Sequence, residues 1–238
     1  MLRVLKWLGL VVALLVVLAG ATWYVAFGNN SPIAGGRVAD GVEAVKDGFV
    51  NVFILDASPG TVALVDAGND RSGKALLAAL ARRNLAPASV AAIFLTHGHP
   101  DHVAACRLFP RAEVYAMQPD VALVGDAANG THPLRDGDVT TVGDLRVEAF
   151  SVPGHTPGSA VYLARNVLFF GDSAGASKAG EVMKAVRLFS KDSGLNVASL
   201  KDLAVRLTPR RAEIKAMAFG HTGSLVGLDP LIAFASRN

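Results

Sequence analysis

Six consecutive residues, His97-Gly98-His99-Pro100-Asp101-His102, constrain this chain more than any other part of its sequence. Imidazole nitrogens and carboxylate oxygens are the donors that zinc and similar divalent metals take. The apolar run before them, Ala92 to Leu95, reads as a buried strand, so a rigid element delivers the cluster into solvent. Gly98 and Pro100 alternate with the donors and let His97 and His99 project from a tight loop onto one metal. Asp101 and His102 then open a helix and can turn to a second metal, and a carboxylate suits a helix N-terminus, whose dipole favours negative charge.

Three more donors recur in one setting far along the chain. His155 sits in Pro153-Gly154-His155-Thr156-Pro157-Gly158-Ser159, Asp172 follows Leu168-Phe169-Phe170-Gly171, and His221 follows Met217-Ala218-Phe219-Gly220. Each is a polar residue at the end of an apolar strand and beside a glycine, which points to one shared site. Asp66, in Asp66-Ala67-Gly68, is either a turn residue or a group that orients a ligand histidine. His132 reads as a loop residue and Cys106 as a small buried hydrophobe.

Between these motifs, strands and helices alternate. Phe49 to Leu55 and Thr61 to Val65 flank Ser58-Pro59-Gly60 as a hairpin. Apolar residues at Leu76, Leu77, Leu80, Ala81 and Leu85 predict a helix over 72–85. Short helices are expected near 103–108 and 120–126, and another near 200–207. Further strands are expected near 113–116, 146–152, 161–163, 167–170 and 214–219. The hairpins make mixed sheets the expectation.

The N-terminus is a separate matter. Arg3 and Lys6 precede Trp7 to Phe27, a run of about 21 residues without a charge, and roughly 20 such residues span a hydrocarbon core as a helix. Trp7 lies at one end and Trp23 and Tyr24 towards the other, as an aromatic belt would place them. Residues 1–27 are therefore expected to be a membrane anchor, with a signal peptide cleaved after Ala19-Gly20-Ala21 as the rival. Either way the remainder is exported, periplasmic or extracellular. A linker is expected over 28–36, and the main domain over 37–238. The chain has 23 Lys and Arg against 20 Asp and Glu. Two of the former lie in the N-terminal segment, so the domain is near neutrality and nothing calls for a nucleic-acid partner. A basic excess between Asp172 and His221, from Lys178, Lys184, Arg187, Lys191, Lys201, Arg206, Arg210, Arg211 and Lys215, reads as a solvated face, with attraction of anionic substrates or of anionic lipid as the alternative.

The run Thr96 to His102 resembles the signature loop of the metallo-β-lactamase superfamily. Gly154 to Ser159, Gly171-Asp172 and Gly220-His221 resemble its later motifs in the right order, over roughly residues 40 to 225. The resemblance implies an α+β fold, an αββα four-layer sandwich with the site along one edge of its two sheets. It implies that His97, His99 and His155 hold one metal, that Asp101, His102 and His221 hold a second, and that Asp172 bridges them. The cofactors implied are two zinc ions, with manganese or iron as substitutes. Such a centre activates water to cleave an ester, lactone, thioester, lactam or phosphoester bond of a small-molecule substrate, and Asp101 is the candidate to shuttle a proton. Asp172 among histidines resembles the glyoxalase II and lactonase branches, while the short stretch after His221 lacks the C-terminal domain of glyoxalase II proper. The alternatives are a single-iron oxidoreductase of the persulfide dioxygenase type and a binding module of the same fold without chemistry. Loops 125–134 and 175–196 carry no readable substrate signature.

Overall fold

A computed structural model describes residues 2–238, apart from the side chains of residues 2–6, 9 and 10. Two compact units result, Met1–Asn30 and Ser31–Asn238. The first is helix α1 (Leu2–Phe27), uncharged from Trp7 onward, in which Trp23 packs on Phe27 one turn later with ring centroids 4.4 Å apart. Among the described residues, no helix is long and apolar enough to cross a membrane. Arg3 and Lys6, which set the expected orientation, lie outside the described side chains.

The second unit carries fifteen strands. Seven form one sheet in sequence order: β1 (Gly36–Ala39), β2 (Val42–Asp47), β3 (Val50–Ser58), β4 (Thr61–Val65), β5 (Val90–Phe94), β6 (Glu113–Met117) and β7 (His132–Leu134). The first four pair antiparallel through hairpins, and β4 to β7 run parallel. Helix α2 (Lys74–Arg82) crosses over between β4 and β5. Two one-turn helices, α3 (Pro100–Val103) and α4 (Val121–Val124), flank β6. The second sheet uses β8 (Val139–Val142), β9 (Leu145–Ser151), β10 (Ala160–Ala164) and β11 (Val167–Phe169). Beyond a small hairpin of β12 (Ala174–Ala176) and β13 (Val182–Lys184) come α5 (Ser193–Leu207), β14 (Ala216–Ala218), β15 (Leu225–Val226) and α6 (Asp229–Arg237). The order of that sheet is β15-β14-β11-β10-β9-β8, with only β11 and β14 parallel.

Strand alternation builds four layers from these elements. Phe53, Leu55, Val65 and Phe94 face Val147, Ala149, Tyr162 and Phe169 between the sheets. The rings of Phe53 and Phe169 lie 5.1 Å apart, and those of Phe94 and Tyr162 5.5 Å. The opposite faces turn outward. Val52, Ile54, Leu64 and Ile93 pack on Leu76, Ala79 and Leu80 of α2. Val161, Leu168 and Met217 pack on Leu200, Leu203 and Leu207 of α5 and on Leu231 and Phe234 of α6. Each large side chain buried this way contributes about 1.5–3 kcal/mol. The result is an αββα sandwich.

Several elements depart from expectation. Strands β1 and β2 lie upstream of the expected first hairpin, and Ser31 already donates its backbone N–H to Ala176 O. His132 is an exposed residue of edge strand β7 over the Tyr115 ring, not a loop residue. Cys106, by contrast, is the buried hydrophobe expected, and burial pushes its thiol up to about 12. Arg206, Arg210 and Arg211 of the basic stretch pair with Asp136, Glu148 and Asp229.

Candidate metal centre

Five strands end at one edge of the sandwich, and a polar residue follows each: Asp66 after β4, His97 after β5, His155 after β9, Asp172 after β11 and His221 after β14. Asp101 and His102 join them from α3, just past His99 at its N-cap. All seven residues named from the sequence as donors converge here. His97, His99 and His155 form one group, and Asp101, His102 and His221 another. Within the first, His97 Nε2 stands 3.0 Å from His99 Nδ1 and 3.2 Å from His155 Nε2, which is 3.0 Å from His99 Nδ1. In the second, His221 Nε2 lies 3.2 Å from Asp101 Oδ2, and His102 Nε2 lies 3.8 Å from the same oxygen. Asp172 stands between them. Its Oδ1 is 3.3 Å from His102 Nε2, and its Oδ2 is 3.1 Å from His221 Nε2 and 3.6 Å from His155 Nε2.

Hydrogen bonds behind the site fix which nitrogen faces inward. His102 Nδ1–H donates to Asp66 Oδ2 at 2.8 Å. Thr96 donates its backbone N–H and its hydroxyl to the same carboxylate, at 2.8 Å each. With that hydroxyl proton committed, the 3.2 Å contact between Thr96 Oγ1 and His97 Nδ1 requires the imidazole N–H to be the donor. Ser190 likewise gives its proton to Val186 O and accepts from His155 Nδ1 at 3.4 Å. Phe49 O accepts from His221 Nδ1 at 2.8 Å, and the Phe49 ring stacks on that imidazole. Asp66, whose two roles were open from sequence, is thus fully buried behind the site at a φ of 61°, a left-handed conformation that Asp tolerates better than most residues.

Two observations test whether a cation fits. His102 Nε2 and Asp172 Oδ1 are buried and face each other at 3.3 Å, yet neither completes a hydrogen bond, which is rare without something else to satisfy them. Three imidazole lone pairs also point at one spot 3.0–3.2 Å apart, and nitrogens about 2.0–2.1 Å from a tetrahedral zinc stand about 3.3 Å apart. The donor set fits a divalent cation in both groups. Space alone does not mark this place: a cavity of about 520 Å³ lies elsewhere, between Asp56, Arg83, Asp144 and Arg165.

The two groups carry different charge. Burial, then the neighbouring imidazoles, holds His97 well below the usual histidine range and pushes His155 down to about 4. Burial pushes the same way on His102 and His221, but carboxylates outweigh it. Asp172 and Asp66 keep His102 well above the ordinary value, and Asp101 and Asp172 raise His221 to about 10. Burial would raise Asp172, yet His102 and His221 hold it well below the carboxylate range. Gly220 permits this proximity: a Cβ there would lie 2.5 Å from Asp172 Oδ1 and 2.9 Å from the His102 ring.

Sequence reasoning passed over the groups that hold the loops. Asn51 of β3 donates from Nδ2 to Phe219 O and Thr222 O, at 3.0 Å each, on either side of His221. Asp120 holds the loops of His97, His99 and His155. A buried Asn in a strand and an Asp before a helix look in sequence like ordinary packing or capping residues.

The chain belongs to the metallo-beta-lactamase superfamily, whose family model matches residues 45–221. Hydroxyacylglutathione hydrolase of Xanthomonas axonopodis pv. citri is 31% identical over 153 residues, covering 63% of this chain and 56% of that protein. The hydroxyacylglutathione hydrolase of Salmonella paratyphi B is 28% identical over 165 residues, covering 68% and 61%. The chain thus spans 56–61% of the length of these curated relatives. Among solved structures, a metallo-beta-lactamase family protein from Thermus thermophilus superposes with a TM-score of 0.64 at 21% identity, over 84% of this chain and 80% of that one. A B3 metallo-beta-lactamase with an active-site glutamic acid gives 0.66 at 17%, over 87% and 88%. At such identities the likeness is one of fold.

Proposed function

We propose that this chain is a metal-dependent hydrolase with a dinuclear centre. His97, His99 and His155 would hold one ion, Asp101, His102 and His221 the other, and Asp172 would serve both. The observation that carries this reading is the position of the Asp172 carboxylate, within 3.6 Å of donors from both groups. The completeness of the second group weighs against a single-iron oxidoreductase and against a binding module that has lost its ligands. Zinc suits the donors, and manganese or iron could replace it. Divalent cations held by these residues would supply polarisation of a scissile carbonyl or phosphoryl oxygen and would lower the pKa of water.

The residues supply the rest. Asp66, Thr96, Ser190 and the Phe49 carbonyl orient the imidazoles. Asp101 is partly exposed, and its Oδ2 faces His221 Nε2, so it can pass a proton between the site and solvent. Asp101→Ala should abolish turnover. Activity that survives with reduced metal content would limit Asp101 to ligation. The substrate is proposed to be a small molecule with an ester-like bond. Thioesters come first, because the curated relatives are named for hydroxyacylglutathione. From its sequence, the apolar run 7–27 supports a further proposal, that the domain is anchored at or exported across a membrane.

Elemental analysis of the full-length protein, run beside a panel of thioester, ester, lactone, β-lactam and phosphodiester substrates, tests the reading. About two zinc or manganese ions per chain and hydrolysis abolished by a chelator are expected. One iron per chain without hydrolysis would move it to the oxidoreductase, and no metal would end it.

Proton release separates the two subsites. At neutral pH His97 and His155 of the metal-free first group are neutral imidazoles, whereas His102 and His221 each hold the second ring proton and are cationic. Filling the second subsite should therefore release more protons than filling the first, and its affinity should rise with pH through neutrality, because His221, raised to about 10, must give up a proton to bind. The His97 and His155 nitrogens release none. Calorimetric titration in buffers of different ionisation enthalpy reads both, and equal release at the two steps would contradict the assignment.

A further inference from the structure

One buried carboxylate outside the seven-donor set is aimed at the backbone of the site. Asp120 follows β6 and is 1% exposed. Its Oδ2 accepts from Gly98 N at 3.0 Å and from Thr156 Oγ1 at 2.7 Å, and its Oδ1 accepts from Gly158 N at 2.7 Å. Gly98 lies between His97 and His99, and Thr156 directly follows His155. One side chain therefore bonds to the two loops that bring three imidazoles together from positions 58 residues apart. Hydrogen bonds to an ionised acceptor are roughly twice as strong as neutral ones, and three of them leave the carboxylate little freedom.

The surroundings are shaped to this contact. A Cβ on Gly158 would lie 2.5 Å from Asp120 N and 2.7 Å from its Oδ1, so only glycine lets the loop approach. Ser159 Oγ accepts from Thr156 N at 2.9 Å, and with the Thr156 hydroxyl proton given to Asp120 it donates its own to Thr156 Oγ1 at 2.8 Å. The other group of donors is held differently, His102 by Asp66 and His221 by the Phe49 carbonyl.

We propose that Asp120 is the positioning residue of the His97–His99–His155 subsite, setting the separation of its three nitrogens by tying one loop to the other. The proposal rests on the metal reading above and concerns only half of the centre. A residue that merely stabilised the fold would weaken both halves alike.

The test uses the metal-free full-length chain titrated with Co2+ and read by its visible absorption. His221→Ala leaves the first subsite intact, and His99→Ala leaves the second. Asp120→Asn puts an NH2 where an acceptor oxygen met N–H or O–H donors. In the His221→Ala background it should lower Co2+ affinity about 10–100-fold and alter the band shape, and in the His99→Ala background change it less than about twofold. Thr156→Val removes one of the three donors and should shift affinity in the same direction, with Thr156→Ser restoring it, so the pair carries the test if Asp120→Asn fails to fold. Equal losses in both backgrounds, or none in the first, would overturn the proposal. Absence of Co2+ binding in His221→Ala with Asp120 intact would instead bring down the metal reading on which it rests.

Discussion

Asp172→Ala is expected to cost the protein at least one of the two metal equivalents proposed for it and to lower hydrolysis about 1,000-fold or more, close to the loss of the whole centre. The reason lies in its position. Its two oxygens reach His102, His221 and His155 at 3.3, 3.1 and 3.6 Å, so one carboxylate faces donors of both groups. The rate estimate follows from removing an electrostatic group aimed at the reacting atoms, worth about 10²–10³ by itself, compounded by lost metal. The metal-free protein should respond too. Asp172 is mostly buried and its charge sustains the protons on His102 and His221, so its removal should lower both imidazoles towards or below the ordinary histidine value. Metal content, steady-state rates and histidine NMR titration check the three parts. Full metal content with wild-type rates would contradict them.

Asp66→Asn should act on both halves from behind. The carboxylate accepts three hydrogen bonds, from Thr96 N, the Thr96 hydroxyl and His102 Nδ1, and through Thr96 it also sets the His97 tautomer. An amide of the same shape can offer only one oxygen, and its NH2 would face at least one of those donors. Such partners behind a metal ligand are typically worth 10–100-fold in affinity or activity. Breaking a fully buried charged partnership costs about 3–5 kcal/mol of stability. The expected result is a variant that melts lower without metal and binds the metal of both subsites more weakly. That pattern distinguishes Asp66 from Asp120, whose effect falls on one subsite. Unchanged melting and metal affinity would show that Thr96 and His102 keep their places unaided.

The donors were legible in the sequence because local chemistry marks them. A strand of apolar residues ending in glycine and a polar side chain delivers that side chain at a sheet edge whatever the rest of the chain does. Several such ends, together with the run from His97 to His102, left little else for the pattern to mean. Most single strands were readable for the same reason, since alternation and β-branched runs are local signals, whereas their assembly into two sheets was implied only by the family resemblance. Elements that depend on a partner were not. Strand β2 is a strand because it pairs residue by residue with β3 from Val42↔Leu55 to Asp47↔Val50, and α6 is held by Leu231 and Phe234 against the outer face of the second sheet.

What only the tertiary structure decided is which groups hold those donors in place. Asp66 could be a turn residue or an orienting group until its carboxylate was seen facing His102, 36 positions away. Asp120, Asn51 and Ser190 carry no motif at all, since their partners are single donors or acceptors from distant loops, such as the carbonyls flanking His221 that lie 168 and 171 positions from Asn51. The sequence by itself determined the ligand chemistry, because a donor atom is a property of one residue. Distances, tautomers and charge are properties of pairs, and pairs this far apart in the chain meet only through the packing of the two sheets.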